Sequence, residues 1–234
     1  MSEDLLDFTY RIVYGDDREK NFVVSLRRKG LALVMDGETL CPEWTKLGFH
    51  QCEPCPFTPE ETLHCPAAQA LYEPIVVFKD CLSYDDARVY VRTEGREYAR
   101  STSLQVGLSS LFGLLMATSG CPLLEKLRPM ARFHLPFSDE DETSYRAISM
   151  YLVAQYLISR EGGRPDWELK GLARIYEDVT KVNKGFVERL RHMPVKDASL
   201  NAIIGLDCFA MSVNFAITQD MLDSLRDTFT TYLD

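Results

Sequence analysis

Four of the chain's seven cysteines and two of its four histidines fall within residues 41–65, "CPEWTKLGFHQCEPCPFTPEETLHC". The spacing is Cys41-x10-Cys52-x2-Cys55-x9-Cys65. A Cys-x-x-Cys pair offers two thiolates to one ion from a tight turn, and each outer cysteine lies one short loop away. Four such ligands suit tetrahedral zinc in a closed structural site. His50 and His64 stand beside Cys52 and Cys65, so either could replace a cysteine in a Cys3His set. An iron–sulfur cluster is the alternative, since it also takes four cysteines and tolerates proline after them. A closed four-ligand ion leaves no position for substrate, so the expected role is a staple. The plainer account is reduced cysteines in a proline-rich loop.

A second group of residues departs from the apolar pattern around it. Asn183 falls on the apolar stripe of its segment, and Asp197, Asn201 and Asp207 sit in or just before an otherwise apolar one. Buried polar groups need partners, and Arg146, Gln155 and Arg189 are the expected ones. His134 lies in "ARFHLPF", and Glu142 precedes Arg146 by one helical turn, the spacing of an ion pair. Together His134, Glu142, Arg146, Asn183, Asp197 and Asn201 outline an interhelical pocket for a small polar or anionic ligand. A satisfied structural network is the competing account. Cys121 in "SGCP" could be a nucleophile, but no base accompanies it locally. No dinucleotide, P-loop, zinc-protease or nucleophile-elbow motif is present, so no catalytic residue is assigned.

The elements that position these residues divide at about residue 103. Up to there the pattern alternates as a half-buried sheet does: Phe8, Tyr10, Ile12 and Tyr14, then Phe22, Val24 and Leu26, then Leu31, Leu33 and Met35. That reads as a three-stranded antiparallel meander. A hairpin over 85–103, with Val89 and Val91 inward, extends it, and residues 66–80 form a helix broken by Pro74. Residues 104–234 read as helical. They hold a small-residue helix containing Gly107, Ser110, Gly113 and Ala117, a proline-broken connector, a helix capped by Ser138 and Asp141, and three more helices. The expected class is α+β: a module over 1–103 carrying the Cys-rich, metal-stapled segment, then a helical bundle over 104–234.

A formal charge of −9 repels nucleic acid and anionic membrane, so neither is expected as a partner. The N-terminus shows no secretory pattern, which points to the cytoplasm, where thiols stay reduced. Of two apolar segments, 104–120 is short for a bilayer and 198–217 carries Asn201, Asp207 and Asn214, costly in lipid. Both are expected as buried core helices.

At "PEWTKLGFHQCEPCP", "HCPAAQAL", "SGCPLLEKLRPMARFHLPF" and "ETSYRAISMYLVAQY" the chain resembles an uncharacterised bacterial domain-of-unknown-function family, from about Trp44 to Asn201. The resemblance implies a bacterial protein with no assigned activity and carries over no site residue. The leading expectation is a cytosolic, zinc-stapled regulatory or scaffold protein acting through a homodimer or a protein partner. A small-ligand sensor or enzyme, and an iron–sulfur protein, are the alternatives.

Overall fold

The computed structural model describes residues 4–35, 41–218 and 226–233. Strands β1 (Leu5–Tyr14) and β2 (Arg18–Arg27) pair antiparallel across a tight turn, and β3 (Asp86–Arg92) pairs with the other side of β1. With β4 (Glu97–Ser103) outside β3, the strand order is β2-β1-β3-β4. Alternation puts Phe8, Tyr10, Ile12, Phe22, Val24, Leu26, Val89 and Val91 on one buried face. The fold is α+β, with this sheet followed by helices.

The expected third strand at Leu31–Met35 does not form. Gly30 and Leu31 both adopt positive φ, and the segment makes one bridge, Leu26 to Leu33. Arg27 N–H donates to the Ala32 carbonyl at 2.9 Å and Val34 N–H to the Ser25 carbonyl at 2.8 Å, flanking that bridge, while the outward Leu33 N–H donates to the Thr118 carbonyl at 3.0 Å, so the segment joins the edge of β2 to a helix end. That contact gives the Thr118 carbonyl, near the helix terminus, a backbone donor.

Residues 66–77 form two short helices, α1 (Pro66–Ala70) and α2 (Tyr72–Val77). The break precedes Pro74, which has no N–H for the Ala70 carbonyl. α3 (Leu104–Thr118) lies on the sheet and is buried along most of its length. A Cβ at Gly107 would stand 2.6 Å from Val89 Cγ2, so the helix axis can approach the strands only there because the side chain is absent. The proline-rich connector contains a 3-10 turn and α4 (Arg128–Arg132). α5 (Glu140–Arg160), α6 (Lys170–Arg191) and α7 (Asp197–Thr218) follow, with α7 packed against α3, α5 and α6.

The cap of α5 is one residue later than expected. Asp139 accepts from Glu142 N–H at 2.8 Å while Glu142 accepts from Asp139 N–H at 3.0 Å, and Ser138 shares a hydrogen bond with Thr143. α7 is also not the buried core helix expected. It is long and apolar enough to cross a membrane, yet only 28% of that apolar window is buried. Ala202, Ile203, Ala210 and Val213 face inward, while Met211 and Phe215 are exposed. The last expected helix, residues 218–233, lies largely outside the described residues; its end forms α8 (Thr230–Leu233). Buried side chains from the sheet and from all the long helices make one continuous core.

Candidate functional site

Helices α3, α4, α5, α6 and α7 line an open-sided cavity of about 850 Å³. Most of its wall is apolar, including Leu114, Met116, Leu124, Leu127, Ile204 and Phe209. Polar groups gather where α4 and α5 meet α6. Arg146 reaches back along the connector, its Nη2 donating to the carbonyls of Met130 at 3.1 Å and Phe133 at 3.0 Å. Among the described residues it has no carboxylate in ion-pair contact, because Glu142 is turned away into the α5 cap. Burial opposes its charge and lowers its pKa. The buried Tyr176 hydroxyl finds only a thioether acceptor, Met130 Sδ at 3.6 Å. Burial pushes its pKa up, so it remains a donor.

His134 completes this group. Its Nε2 lies 2.5 Å from the Tyr10 hydroxyl, which is itself 2.9 Å from Ser110 Oγ. Burial, with Arg146 close by, pulls the His134 pKa from 6.5 down to about 3, so the imidazole is neutral at physiological pH. Burial raises the Tyr10 pKa, keeping the phenol protonated. With Tyr10 donating to Nε2, the imidazole proton is on Nδ1. Ser110 and His134 both line the cavity, as do Ser109 and Asn183, whose Oγ and Nδ2 have no hydrogen-bond partner.

Three of the expected pocket residues have other work. Asp197 accepts from Ser83 N–H at 3.0 Å, from Ser83 Oγ–H at 2.8 Å and from Asn201 Nδ2 at 3.0 Å, tying the start of α7 to the turn before β3. Burial works to raise its pKa, but these donors hold it below the usual carboxylate value. Asn201 borders the cavity with its amide committed to Asp197, and Glu142 is a cap. Asp207, whose pKa burial raises, faces Asn183 and Thr180, yet the three close no hydrogen bond of full geometry. The expected partners serve loop backbone instead: Gln155 accepts from Asp166 N–H at 2.8 Å, and Arg189 donates to the carbonyls of Trp44 and Lys46.

The cysteine segment wraps onto α6. Cys55 N–H donates to the Cys52 carbonyl at 3.0 Å, forming the tight turn expected of Cys-x-x-Cys. Cys52 lies on Gly185, where a Cβ would stand 3.0 Å from its sulfur. Cys65 begins α1, and its N–H donates to the Thr45 carbonyl at 2.8 Å. Cys41 stands elsewhere, its sulfur 3.2 Å from Gln69 Nε2. His50 stacks on His192, with ring centroids 4.1 Å apart, and His64 Nδ1 pairs with Thr45 Oγ1 at 2.8 Å. Among the described residues, no three His, Cys, Asp or Glu side chains converge tightly enough to hold a single ion.

Residues 8–230 match the model of a family described as a domain of unknown function, DUF6901. The chain belongs to that family. No curated protein and no solved structure matches it. For this DUF6901 chain the site must therefore be argued from its own residues. The structure brings His134, Arg146 and Asn183 to one cavity, and Cys52, Cys55 and Cys65 to one face of α6. Tyr10, Ser110 and Tyr176 join the cavity group without having been singled out. Tyr10 reads as an ordinary inward position of β1 in the sequence, and nothing local marks its hydroxyl as paired with a residue 124 positions away.

Proposed function

We propose that the protein binds a small amphipathic acid in the interhelical cavity, as a sensor or carrier. The observation that carries this reading is Arg146: a half-buried cation on the cavity wall, hydrogen-bonded to backbone carbonyls, with Glu142 within electrostatic range but, among the described residues, no carboxylate in ion-pair contact. A partly desolvated charge without a contacting counter-ion is costly, and an anionic ligand would offset that cost. Tyr176, held only by a thioether, and neutral His134 supply further donors for the same head group. The apolar wall from α3 and α7 suits a hydrocarbon tail, and the volume falls in the range of small-molecule sites.

The test compares decanoate with decanol at submicellar concentration by thermal shift and calorimetry. Decanoate should stabilise the folded protein and decanol much less. In Arg146→Met the two should become equivalent. Equal stabilisation by acid and alcohol in the unaltered chain, or none by either, would overturn the reading.

A second reading, self-association, is supported by apolar side chains on the outer faces of α5 and α7. Val153, Tyr156, Leu157, Met211 and Phe215 are all more than half exposed. Large exposed apolar faces favour association with a second apolar surface. Light scattering on size-exclusion fractions, comparing the unaltered chain with Leu157→Glu, tests this. A dimer that becomes monomeric in the variant supports it, and a monomer in both removes it.

A further inference from the structure

We infer that Cys52, Cys55, Cys65 and Cys121 together form a four-thiolate metal centre, with Arg189 as its buried counter-cation and Cys41 outside it. Three segments converge there. Cys52 and Cys55 come from the Cys-x-x-Cys turn, Cys65 from the start of α1, and Cys121 from just beyond α3. Gly120 and Pro66, the chain neighbours of Cys121 and Cys65, abut: a Cβ on Gly120 would lie 4.0 Å from Pro66 Cβ. Every pair among the four thiols is within electrostatic range, whereas the Cys41 sulfur is taken up by Gln69 Nε2 at 3.2 Å.

Two of the sulfurs share one local arrangement. Cys65-Pro-Ala-Ala and Cys121-Pro-Leu-Leu each turn so that the backbone N–H groups two and three residues on lie near the sulfur. Such donors do little for a neutral thiol and much for a thiolate, and hydrogen bonds to sulfur are how proteins tune thiolate-bound metals.

Arg189 is the independent observation. Its side chain is 1% exposed, yet its hydrogen bonds go to the Trp44 and Lys46 carbonyls, and among the described residues it meets no carboxylate. It lies 5.7 Å from the rings of Phe49 and Phe186, and the acidic groups within its reach are the thiols of Cys52, Cys55 and Cys65, which become anions only on binding metal. Both a zinc ion and a four-iron cluster leave net negative charge on four thiolates, which is what a buried guanidinium requires. Among the described residues no thiol set is already closed to one ion's shell, so loading requires the four thiols to draw together.

Purified full-length chain, stripped of metal under anaerobic conditions, is loaded either with zinc alone or with ferrous iron and sulfide. Metal content, visible absorption and thiol alkylation by mass spectrometry are then read. The expected result is one centre per chain in one of the two arms, with the four named thiols protected and Cys41 alkylated; the arm that loads identifies the metal. Cys121→Ser should lower affinity at least about tenfold and Arg189→Met should weaken it, with the metal-free circular dichroism of both unchanged, while Cys41→Ser loads normally. Failure to load in both arms, or loss in Cys41→Ser with retention in Cys121→Ser, overturns the assignment. Unaltered affinity in Arg189→Met overturns the counter-cation role.

Discussion

Replacing His134 with glutamine should remove a defined part of the protein's acid sensitivity. Burial beside Phe8, Tyr10 and Arg146 pulls the imidazole pKa from 6.5 down to about 3. An unfolded chain therefore takes up a proton near pH 6.5 that the folded chain refuses until about pH 3. Between those values the unfolded state binds more protons, so this contribution is complete above 6.5 and is lost as pH falls toward 3. The ceiling is about 1.4 kcal/mol per pH unit, or roughly 2.7 kcal/mol between pH 6.5 and 4.5. Part of the ring opens onto the cavity, where water softens the penalty, so about half that is the better expectation. Glutamine can still accept the Tyr10 hydrogen bond but does not titrate. Urea unfolding of both proteins at about pH 7 and pH 4.5 measures the difference, with the remaining titrating groups common to both. The unaltered chain should lose about 1–1.5 kcal/mol more than His134→Gln on acidification. An equal loss in both would refute a buried neutral imidazole.

Gly107→Ala gains helix propensity but drives a Cβ into Val89; overpacking should win, for a net loss of about 1 kcal/mol. In a double-mutant cycle read by urea unfolding, Val89→Ala should cost less in that background than alone. Asp197→Ala removes the acceptor for Ser83 and Asn201 and should cost about 1–2 kcal/mol without altering decanoate binding. Because the folded-state pKa of Asp197 is lowered, its contribution holds above about pH 4 and fades as pH falls further, which acid titration of the variant checks. Tyr176→Phe should weaken decanoate binding by calorimetry while leaving stability nearly unchanged, since the hydroxyl gives up only a thioether acceptor.

Periodicity made the sheet and the long helices legible, because each buries a face whose repeat is written locally. β1, β2, β3 and α6 appear where alternation or a 3.6-residue stripe put them. Long-range backbone demand was not legible. Arg146, Gln155 and Arg189 were expected to satisfy polar side chains on neighbouring helices, and each instead satisfies loop backbone. Loops without a ladder must find donors and acceptors somewhere, and a sequence does not say which helix will lend them. The Leu31–Met35 segment shows the same limit: its alternation fits a strand, but after the positive-φ turn at Gly30 and Leu31 it meets β2 through one bridge, and its outward Leu33 N–H serves the Thr118 carbonyl. Cys-Pro occurs at residues 41, 55, 65 and 121, so Cys121 shares a local sequence with the clustered cysteines, but the same dipeptide includes Cys41 and misses Cys52, and it does not by itself single out the four.

The reach of Arg189 also orders events in time. Its carbonyl partner at Trp44 lies 145 residues earlier in the chain. On a ribosome, β1 and β2 can pair as soon as they emerge, but the Trp44 carbonyl gains its Arg189 donor only once that residue, about four-fifths of the way along the chain, has been synthesised. Docking of the Cys-rich loop onto α6 is therefore a late step of folding, well after the first hairpin can form.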